Sequence, residues 1–259
     1  YFQENQYDSA IEYAKKLIAL DAKNLTGHKL LLDAYLRTNN VAQAQELLAK
    51  IETLEPNDPV LAINKAIVAL QGRDFAQAIA QAEASLASGQ ENAFVYNILG
   101  RAQAGTNEFE KAEAALKKAV ELSPKLLSAR LALADVYVKT QKYDLAEAEI
   151  KAILAIQDLP EAHVILGMAA IGRGQLDAAK AEFEKALAIR SDFAEAQYQL
   201  GIVLRGLGNN DGAIASLEQV IASAPEHIPA LTNLTLWTFE AGAYDKTLQY
   251  AEKLRKANP

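Results

Sequence analysis

Three histidines and two short glycine motifs are the residues of this chain whose types could do chemistry. Imidazole nitrogens bind Zn²⁺, but His28, His163 and His227 are too far apart in sequence to form a metal-binding pair on one helix. The motifs GRG (172–174) and GLG (206–208) resemble fragments of phosphate-binding loops. No strand-like segment precedes either motif, so the pattern favours turn glycines over a phosphate site.

The remaining catalytic patterns are missing from the sequence. The chain has no cysteine, no G-x-S-x-G motif and no visible Ser/His/Asp constellation, and its many Asp and Glu residues scatter over positions that face solvent on a helix. We therefore predict that the chain is not an enzyme, needs no cofactor and holds no metal.

The charge balance and hydropathy narrow the classes of partner. A net charge of −7 argues against a protein that neutralises phosphates, so we do not expect nucleic acid as a partner. No apolar run reaches about 18 residues, which predicts a soluble segment without membrane insertion. Because the chain lacks an initiator Met, we expect a fragment or a processed piece. The compartment stays open between cytoplasm and a bacterial periplasm or envelope.

The histidines and glycine motifs lie within a sequence repeat of 34 residues, which predicts the helices that contain or flank them. Small residues recur at intervals of 34 residues, once 33, at the following positions: Ala10, Ala44, Ala78, Ala112, Ala146, Ala179, Ala213 and Thr247. A polar break precedes each small position, and most units end at a proline or glycine break. Each unit is therefore predicted to form two antiparallel amphipathic helices that bury their apolar faces by stacking on neighbouring units.

Leu166, Gly167, Ala179, Phe183 and Ala186 resemble the signature of the tetratricopeptide repeat (TPR) family, and the resemblance extends over essentially the whole chain. It implies an all-α, right-handed superhelical solenoid of antiparallel helix pairs that forms one domain. The boundaries are a half repeat at 1–24 and full repeats at 25–58, 59–92, 93–126, 127–159, 160–193, 194–227 and 228–259. In this frame His28 and His163 occupy a position that is often aromatic in the family, which favours packed histidines.

Two repeats depart from the pattern. Repeat 59–92 carries Lys65 at a core leucine position, so we expect it to pack less well than the others. Repeat 127–159 is one residue short, which predicts a different turn before Pro160.

The resemblance also implies that partners bind the concave face, which the first helix of each repeat lines. The inward positions of that frame are Lys29, Asp33, Ile63, Asn64, Ile67, Asn97, Arg101, Leu131, Asp135, Val138, Val164, Met168, Ile171, Tyr198, Ile202, Arg205, Leu236 and Phe239. The stretch from Val164 to Ile202 is predicted to be an exposed apolar surface and hence a candidate interface. The alternative is that some of these side chains only pack between adjacent helices.

Two known binding modes of the family do not fit these positions. The carboxylate clamp of chaperone-binding members is matched by Lys29 and Asn64 but not by Asp33, Phe94 and Ile98. The asparagine ladder of other members is matched only in part.

We therefore predict a scaffold that binds a protein or peptide segment of unknown identity, in a bacterial assembly or secretion system. Two alternatives remain, the targeting arm of a larger enzyme such as a glycosyltransferase, and a self-assembling scaffold that associates end to end.

Overall fold

The computed structural model describes residues 4–258, with side chains from residue 7 onward. Within this range the chain forms fifteen α-helices and no strand, which confirms the predicted all-α fold class. The helices are α1 (Glu4–Leu20), α2 (Leu25–Arg37), α3 (Val41–Leu54), α4 (Leu61–Gln71), α5 (Phe75–Ala87), α6 (Ala93–Gly105), α7 (Phe109–Leu122), α8 (Leu127–Lys139), α9 (Tyr143–Leu154), α10 (Pro160–Gly172), α11 (Leu176–Ile189), α12 (Ala194–Gly206), α13 (Asn210–Ser223), α14 (Ile228–Glu240) and α15 (Tyr244–Ala257).

Each full repeat contains a first helix (even-numbered, α2 to α14) and a second helix (odd-numbered, α3 to α15). Within each unit the two helices of a repeat pack on each other, as α6 does on α7 and α10 on α11, and a second helix packs on the first helix of the next repeat, as α5 does on α6 and α13 on α14. The chain divides into two compact units, unit 1 at residues 1–132 and unit 2 at residues 133–259.

The turn from a first to a second helix contains one residue in the left-handed backbone region. These residues have φ between 55° and 82° and are Asn39, Arg73, Asn107, Gln141, Gly174, Gly208 and Gly242. Glycine adopts this conformation without steric cost. The second glycines of the GRG and GLG motifs are thus turn glycines, as predicted. The first glycines, Gly172 and Gly206, instead end α10 and α12 and pack against the second helix of the preceding repeat.

A glycine opposite a large side chain sets the spacing of α10 and α11. A Cβ atom at Gly167 would lie 2.6 Å from Phe183 Cε1, so only glycine fits beside the ring. Phe183 and its neighbours Ala179 and Ala186 are fully buried. Leu166, from the same family signature, is only half-buried, whereas the equivalent Leu234 is fully buried, so Leu166 contributes less to the core than Leu234 does.

The turn before Pro160 differs from the others, as its missing residue predicted. Helix α9 has 12 residues, and Pro160 occupies the first turn of α10, where its missing N–H costs no hydrogen bond. Asp158 of this turn approaches His163 on α10.

Candidate functional site

The predicted partner-binding residues all lie on first helices, and most are half-buried. Four of them are exposed, namely Asp33, Arg101, Leu236 and Phe239. Two are buried, Asn97 at 2% and Val164 at 8% exposure. Val164 therefore belongs to the core of unit 2 and not to the exposed surface that the sequence predicted. The half-buried set comprises Lys29, Ile63, Asn64, Ile67, Leu131, Asp135, Val138, Met168, Ile171, Tyr198, Ile202 and Arg205.

In unit 2 the first helices carry an apolar surface, which we call the unit 2 face. It consists of Met168 and Ile171 on α10, Tyr198 and Ile202 on α12, and Leu236 and Phe239 on α14. The α10 and α12 members pack from the solvent side against one buried core cluster. Leu236 is 51% and Phe239 58% exposed, so this face presents large apolar side chains to solvent at α14.

Polar contacts fix α12 to α14 beside this face. Asn233 Nδ2 donates to Tyr198 Oη at 3.2 Å, and the Tyr198 ring lies 5.2 Å from the ring of His227. The guanidinium of Arg205 pairs with Glu240, donates to Asn210 Oδ1 at 2.6 Å and lies over the Trp237 ring. Because these bonds occupy Arg205, it holds the first helices in place and is not a free cation.

The corresponding positions in unit 1 are more polar. Lys29 Nζ lies 2.5 Å from Glu55 Oε2 and 2.9 Å from Asp58 Oδ2, and these hydrogen bonds raise the pKa of the Lys29 ammonium. Asp33 pairs with Arg37 one helical turn away. Lys29 therefore joins α2 to the turn that follows α3 in the same repeat, which removes it as a free anchor for a ligand.

Among the exposed apolar side chains of unit 1 that the sequence-based set of binding residues omits are Val60 and Phe94. Val60, just before α4, is 40% exposed, and Phe94, in the first turn of α6, is 48% exposed. Their signal in the sequence is that both hold the second position of a repeat, one turn before the inward positions Ile63 and Asn97.

Both packed histidines are buried, as the repeat frame predicted. His28 Nε2 lies 3.0 Å from the carbonyl oxygen of Ala22. His163 Nδ1 lies 2.7 Å from Glu182 Oε2, and its Nε2 lies 2.8 Å from Asp158 Oδ1. Between residues 4 and 258 the acidic and histidine side chains form no cluster with metal-binding geometry.

Comparison with the sequence profiles of known protein families shows which family this chain belongs to. A tetratricopeptide repeat profile matches residues 1–66, 103–167 and 170–235, and a second one matches residues 63–126. The chain belongs to the tetratricopeptide repeat family. Membership confirms the resemblance seen in the sequence and makes this TPR protein a scaffold for protein–protein interactions, built on a fold that is typically non-catalytic.

Solved structures similar to this TPR protein include one from the APC/C hetero-tetramer of Cut9 and Hcn1, with a TM-score of 0.77 and 17% identity. The match covers 98% of this chain, which spans only 50% of the length of that one. A tetratricopeptide repeat protein from Parabacteroides merdae has a TM-score of 0.68 at 15% identity, covering 98% of this chain and 94% of the other. MamA has a TM-score of 0.51 at 26% identity, covering 61% and 94%. No curated protein matches the sequence significantly.

The lengths and hydropathies of the helices in this TPR protein show whether any of them could span a membrane. None of those within residues 4–258 is both long and apolar enough to cross a lipid bilayer.

Proposed function

We propose that the unit 2 face is the surface through which this scaffold binds an apolar segment of a protein partner. The observation that carries the proposal is the exposure of Leu236 and Phe239 on a first helix, next to the half-buried Tyr198 and Ile202. Large apolar side chains grouped on a soluble surface are typical of interfaces, because burying them against a partner removes apolar area from water.

The kind of segment that can bind depends on how rigidly α12 and α14 are held. The contacts of Arg205 and Asn233 hold α12 and α14 in register before any partner arrives, so little ordering is needed on the scaffold side. A segment with two or three apolar side chains, extended or helical, matches this surface. The proposal includes no catalytic step in this chain. The setting in a bacterial assembly or secretion system is the wider context that we propose for it.

A display library of random twelve-residue peptides tests the proposal. The full chain is immobilised and panned, and the enriched peptides are then titrated by fluorescence anisotropy. We expect apolar peptides that bind the wild-type chain and lose affinity about tenfold or more to the double variant Leu236→Glu, Phe239→Glu, since anchors at the centre of an interface dominate affinity.

Leu248→Glu is the matched control. Leu248 is 70% exposed on α15 and is not a residue of the unit 2 face, so the same charge is introduced on a different helix. Both variants should keep the wild-type circular dichroism spectrum and unfold within about 1 kcal/mol of it. Equal peptide affinity for the double variant and the wild type would remove the unit 2 face from the binding site.

Association between copies of the chain is a second candidate, favoured by Tyr244, 62% exposed, beside Leu248 on α15. Sedimentation velocity over a concentration series would then show dimers or larger species that Leu248→Glu reduces. A wild-type chain that stays monomeric at every concentration would eliminate this candidate.

A further inference from the structure

A side chain at the fourth position of more than one first helix bonds back to the turn that precedes its own helix. On α6, Tyr96 Oη donates to Glu91 Oε1 at 3.0 Å. On α10, His163 Nε2 lies 2.8 Å from Asp158 Oδ1, again five residues earlier. Such a bond joins the start of a first helix to the turn between two repeats, which for α10 is the shortened turn at residues 155–159.

His163 differs from Tyr96 because both of its ring nitrogens face carboxylates. Its Nδ1 lies 2.7 Å from Glu182 Oε2 on α11, and the residue is buried. An ionised carboxylate accepts hydrogen bonds and donates none, so each ring nitrogen must carry a proton for both bonds to form. The two bonds therefore exist together only when His163 is an imidazolium.

The other two histidines of the chain make hydrogen bonds that a neutral ring satisfies. Nε2 of His28 lies 3.0 Å from the carbonyl oxygen of Ala22, and its Nδ1 has no partner. Nδ1 of His227 accepts from the Ala230 N–H at 3.1 Å, so this nitrogen carries no proton. His163 is therefore the histidine whose contacts require the second proton.

Positive charge also lies near the His163 ring. Lys185 Nζ on α11 is 2.7 Å from Glu182 Oε1, and Lys185 lines the same cleft as His163. The N-terminal end of α10 adds the equivalent of about half a positive charge. The carboxylates of Asp158 and Glu182 are therefore the groups that compensate the charge of the imidazolium.

Ion pairs engage most other charged side chains of α10 and of its neighbours α9 and α12. The pairs are Arg173 with Asp144 and Glu147, Arg190 with Glu161, and Arg205 with Glu240. Glu195 of α12 accepts from Gln199, and Lys151 of α9 is exposed. The hydrogen bonding of His163 thus depends on the two carboxylates that contact its ring.

These two carboxylates are held differently. The Glu182 side chain is 19% exposed and also pairs with Lys185, whereas the Asp158 side chain is 67% exposed and has His163 as its one ion-pair partner in the described chain. A carboxylate that loses its donor costs more free energy when it is buried than when water can solvate it. When the ring loses one proton, the Nδ1–H bond to Glu182 should stay and the Nε2 bond to Asp158 should break.

An open cleft of about 510 Å³ lies beside the ring. Its lining residues are Leu154, Asp158, His163, Lys185, Ala188 and Ile189. Water in this cleft can exchange protons with the buried ring while the repeat stays folded.

We propose that His163 is a pH-sensitive bridge between the 155–159 turn and the helix pair α10 and α11. With two protons the ring holds both Asp158 and Glu182, and with one proton it keeps Glu182 and releases Asp158. The bond to the turn is therefore present while the ring is doubly protonated and is lost as the pH rises. The bridge acts at the junction of repeats 127–159 and 160–193, so it goes beyond the binding role of the unit 2 face and does not depend on it.

Nitrogen NMR of the full chain counts the protons on the ring. Long-range ¹H–¹⁵N correlation spectra are recorded from about pH 5.5 to about pH 8.5, which spans the usual titration range of imidazole. The variant His163→Gln assigns the His163 signals by their loss. We expect both nitrogens of His163 to be protonated at the acid end and Nδ1 alone at the basic end.

His227 is the internal control in the same spectra. Its Nδ1 accepts a hydrogen bond, so the neutral ring should be protonated on Nε2, which is the opposite tautomer. An unprotonated nitrogen on His163 at the acid end would overturn the bridge. A proton that stays on its Nε2 at the basic end would overturn the release of Asp158.

Hydrogen exchange measured by mass spectrometry detects the release of the turn itself. The equivalent turn at residues 189–193 is the reference, because pH changes the chemical exchange rate of both turns alike. We expect the exchange rate of residues 155–159, divided by that of the reference, to rise about tenfold across the same pH range, since one charge-assisted hydrogen bond is lost.

Asp158→Asn should abolish this rise. The new amide can accept from a protonated Nε2 through its oxygen and donate to an unprotonated Nε2 through its nitrogen, so the bond persists at both ends of the range. Asp192→Asn is the matched control, because it makes the same change in the reference turn, where Gln197 holds the position equivalent to His163. It should keep the wild-type rise.

His163→Gln copies the residue of that neighbouring repeat and should also abolish the rise. A wild-type ratio that stays constant with pH would overturn the bridge, and so would a rise in Asp158→Asn equal to that of the wild type. The wild-type spectra and exchange rates decide the question even if a variant fails to fold.

Discussion

Repeats 59–92 and 160–193 fill the same space between their two helices with different residues. In repeat 160–193 the contact is Gly167 against Phe183, whereas in repeat 59–92 the equivalent residues are Ala66 and Ala82, both fully buried. Gly100 with Leu116 and Gly201 with Leu217 repeat the first solution, since a Cβ atom at either glycine would meet the leucine at 2.5 Å and 3.0 Å. Repeat 59–92 therefore fills this position with a smaller pair of residues than the repeats that set a glycine against a large side chain.

The two repeats also differ in the polar groups of their second helices. Glu182 in repeat 160–193 receives hydrogen bonds from Lys185 and lies against His163, whereas the equivalent position of repeat 59–92 holds the neutral Gln81. Ser85 in repeat 59–92 is fully buried and its Oγ has no partner, whereas the equivalent Ala186 has no polar group to satisfy. An unsatisfied hydroxyl gives a physical reason for the weaker packing expected of repeat 59–92.

Phe183→Ala should have the largest effect on stability. It leaves a cavity opposite Gly167 and should lower the free energy of unfolding by about 3–5 kcal/mol, measured by urea denaturation of the full chain. Leu166→Ala is the control in the same repeat and should cost less, because Leu166 is only half-buried. If both variants lost the same free energy of unfolding, the Gly167–Phe183 contact would contribute no more to stability than a half-buried leucine does.

Gly167→Ala should cost about 1–3 kcal/mol, because its new Cβ atom would overlap the Phe183 ring. The double variant Gly167→Ala, Phe183→Ala reproduces the alanine pair of repeat 59–92. We expect it to lose less stability than the sum of the two single variants, since the added methyl group fills part of the cavity. Additive losses in the double-mutant cycle would show that the two positions are not coupled through a shared space.

The sequence predicts the fold of this protein better than it predicts the contacts of individual side chains. The period of 34 residues predicts the helix pairs and the family, because small residues and breaks recur along the chain. It cannot predict that Lys29 is held by Asp58, that Arg205 is held by Glu240, or that Val164 is buried, because each depends on side chains from other parts of the chain. The side chains of the candidate binding surface are therefore less predictable than the fold.

Glu182 should make the stability of repeat 160–193 depend on pH, whereas the equivalent Gln81 of repeat 59–92 does not titrate. Burial raises the pKa of the Glu182 carboxyl group, but hydrogen bonds from Lys185 and His163 outweigh burial and hold the pKa below its usual 4.5. A carboxyl group with a lowered pKa stabilises the fold above pH 4.5, and this contribution is lost as the pH falls. Glu182→Gln should therefore cost about 1–2 kcal/mol at pH 7 and little at pH 3, followed by urea denaturation at both values. A difference from wild type that stays constant with pH would show that Glu182 acts through packing alone.

Ser85→Ala should have the smallest effect and the opposite sign. Removing a buried hydroxyl without a partner ends its desolvation cost, and alanine favours the helix, so unfolding should require about 1 kcal/mol more. Ser88→Ala, three residues later, is the matched control: its Oγ donates to the Ser85 carbonyl at 2.8 Å, so the same substitution there removes a hydrogen bond at the end of α5. Thermal melts should place Ser85→Ala above the wild type and Ser88→Ala at or below it. Because the two serines differ in what their hydroxyls contact and not in residue type, a common sign for both would show that the unsatisfied hydroxyl of Ser85 does not limit the stability of repeat 59–92.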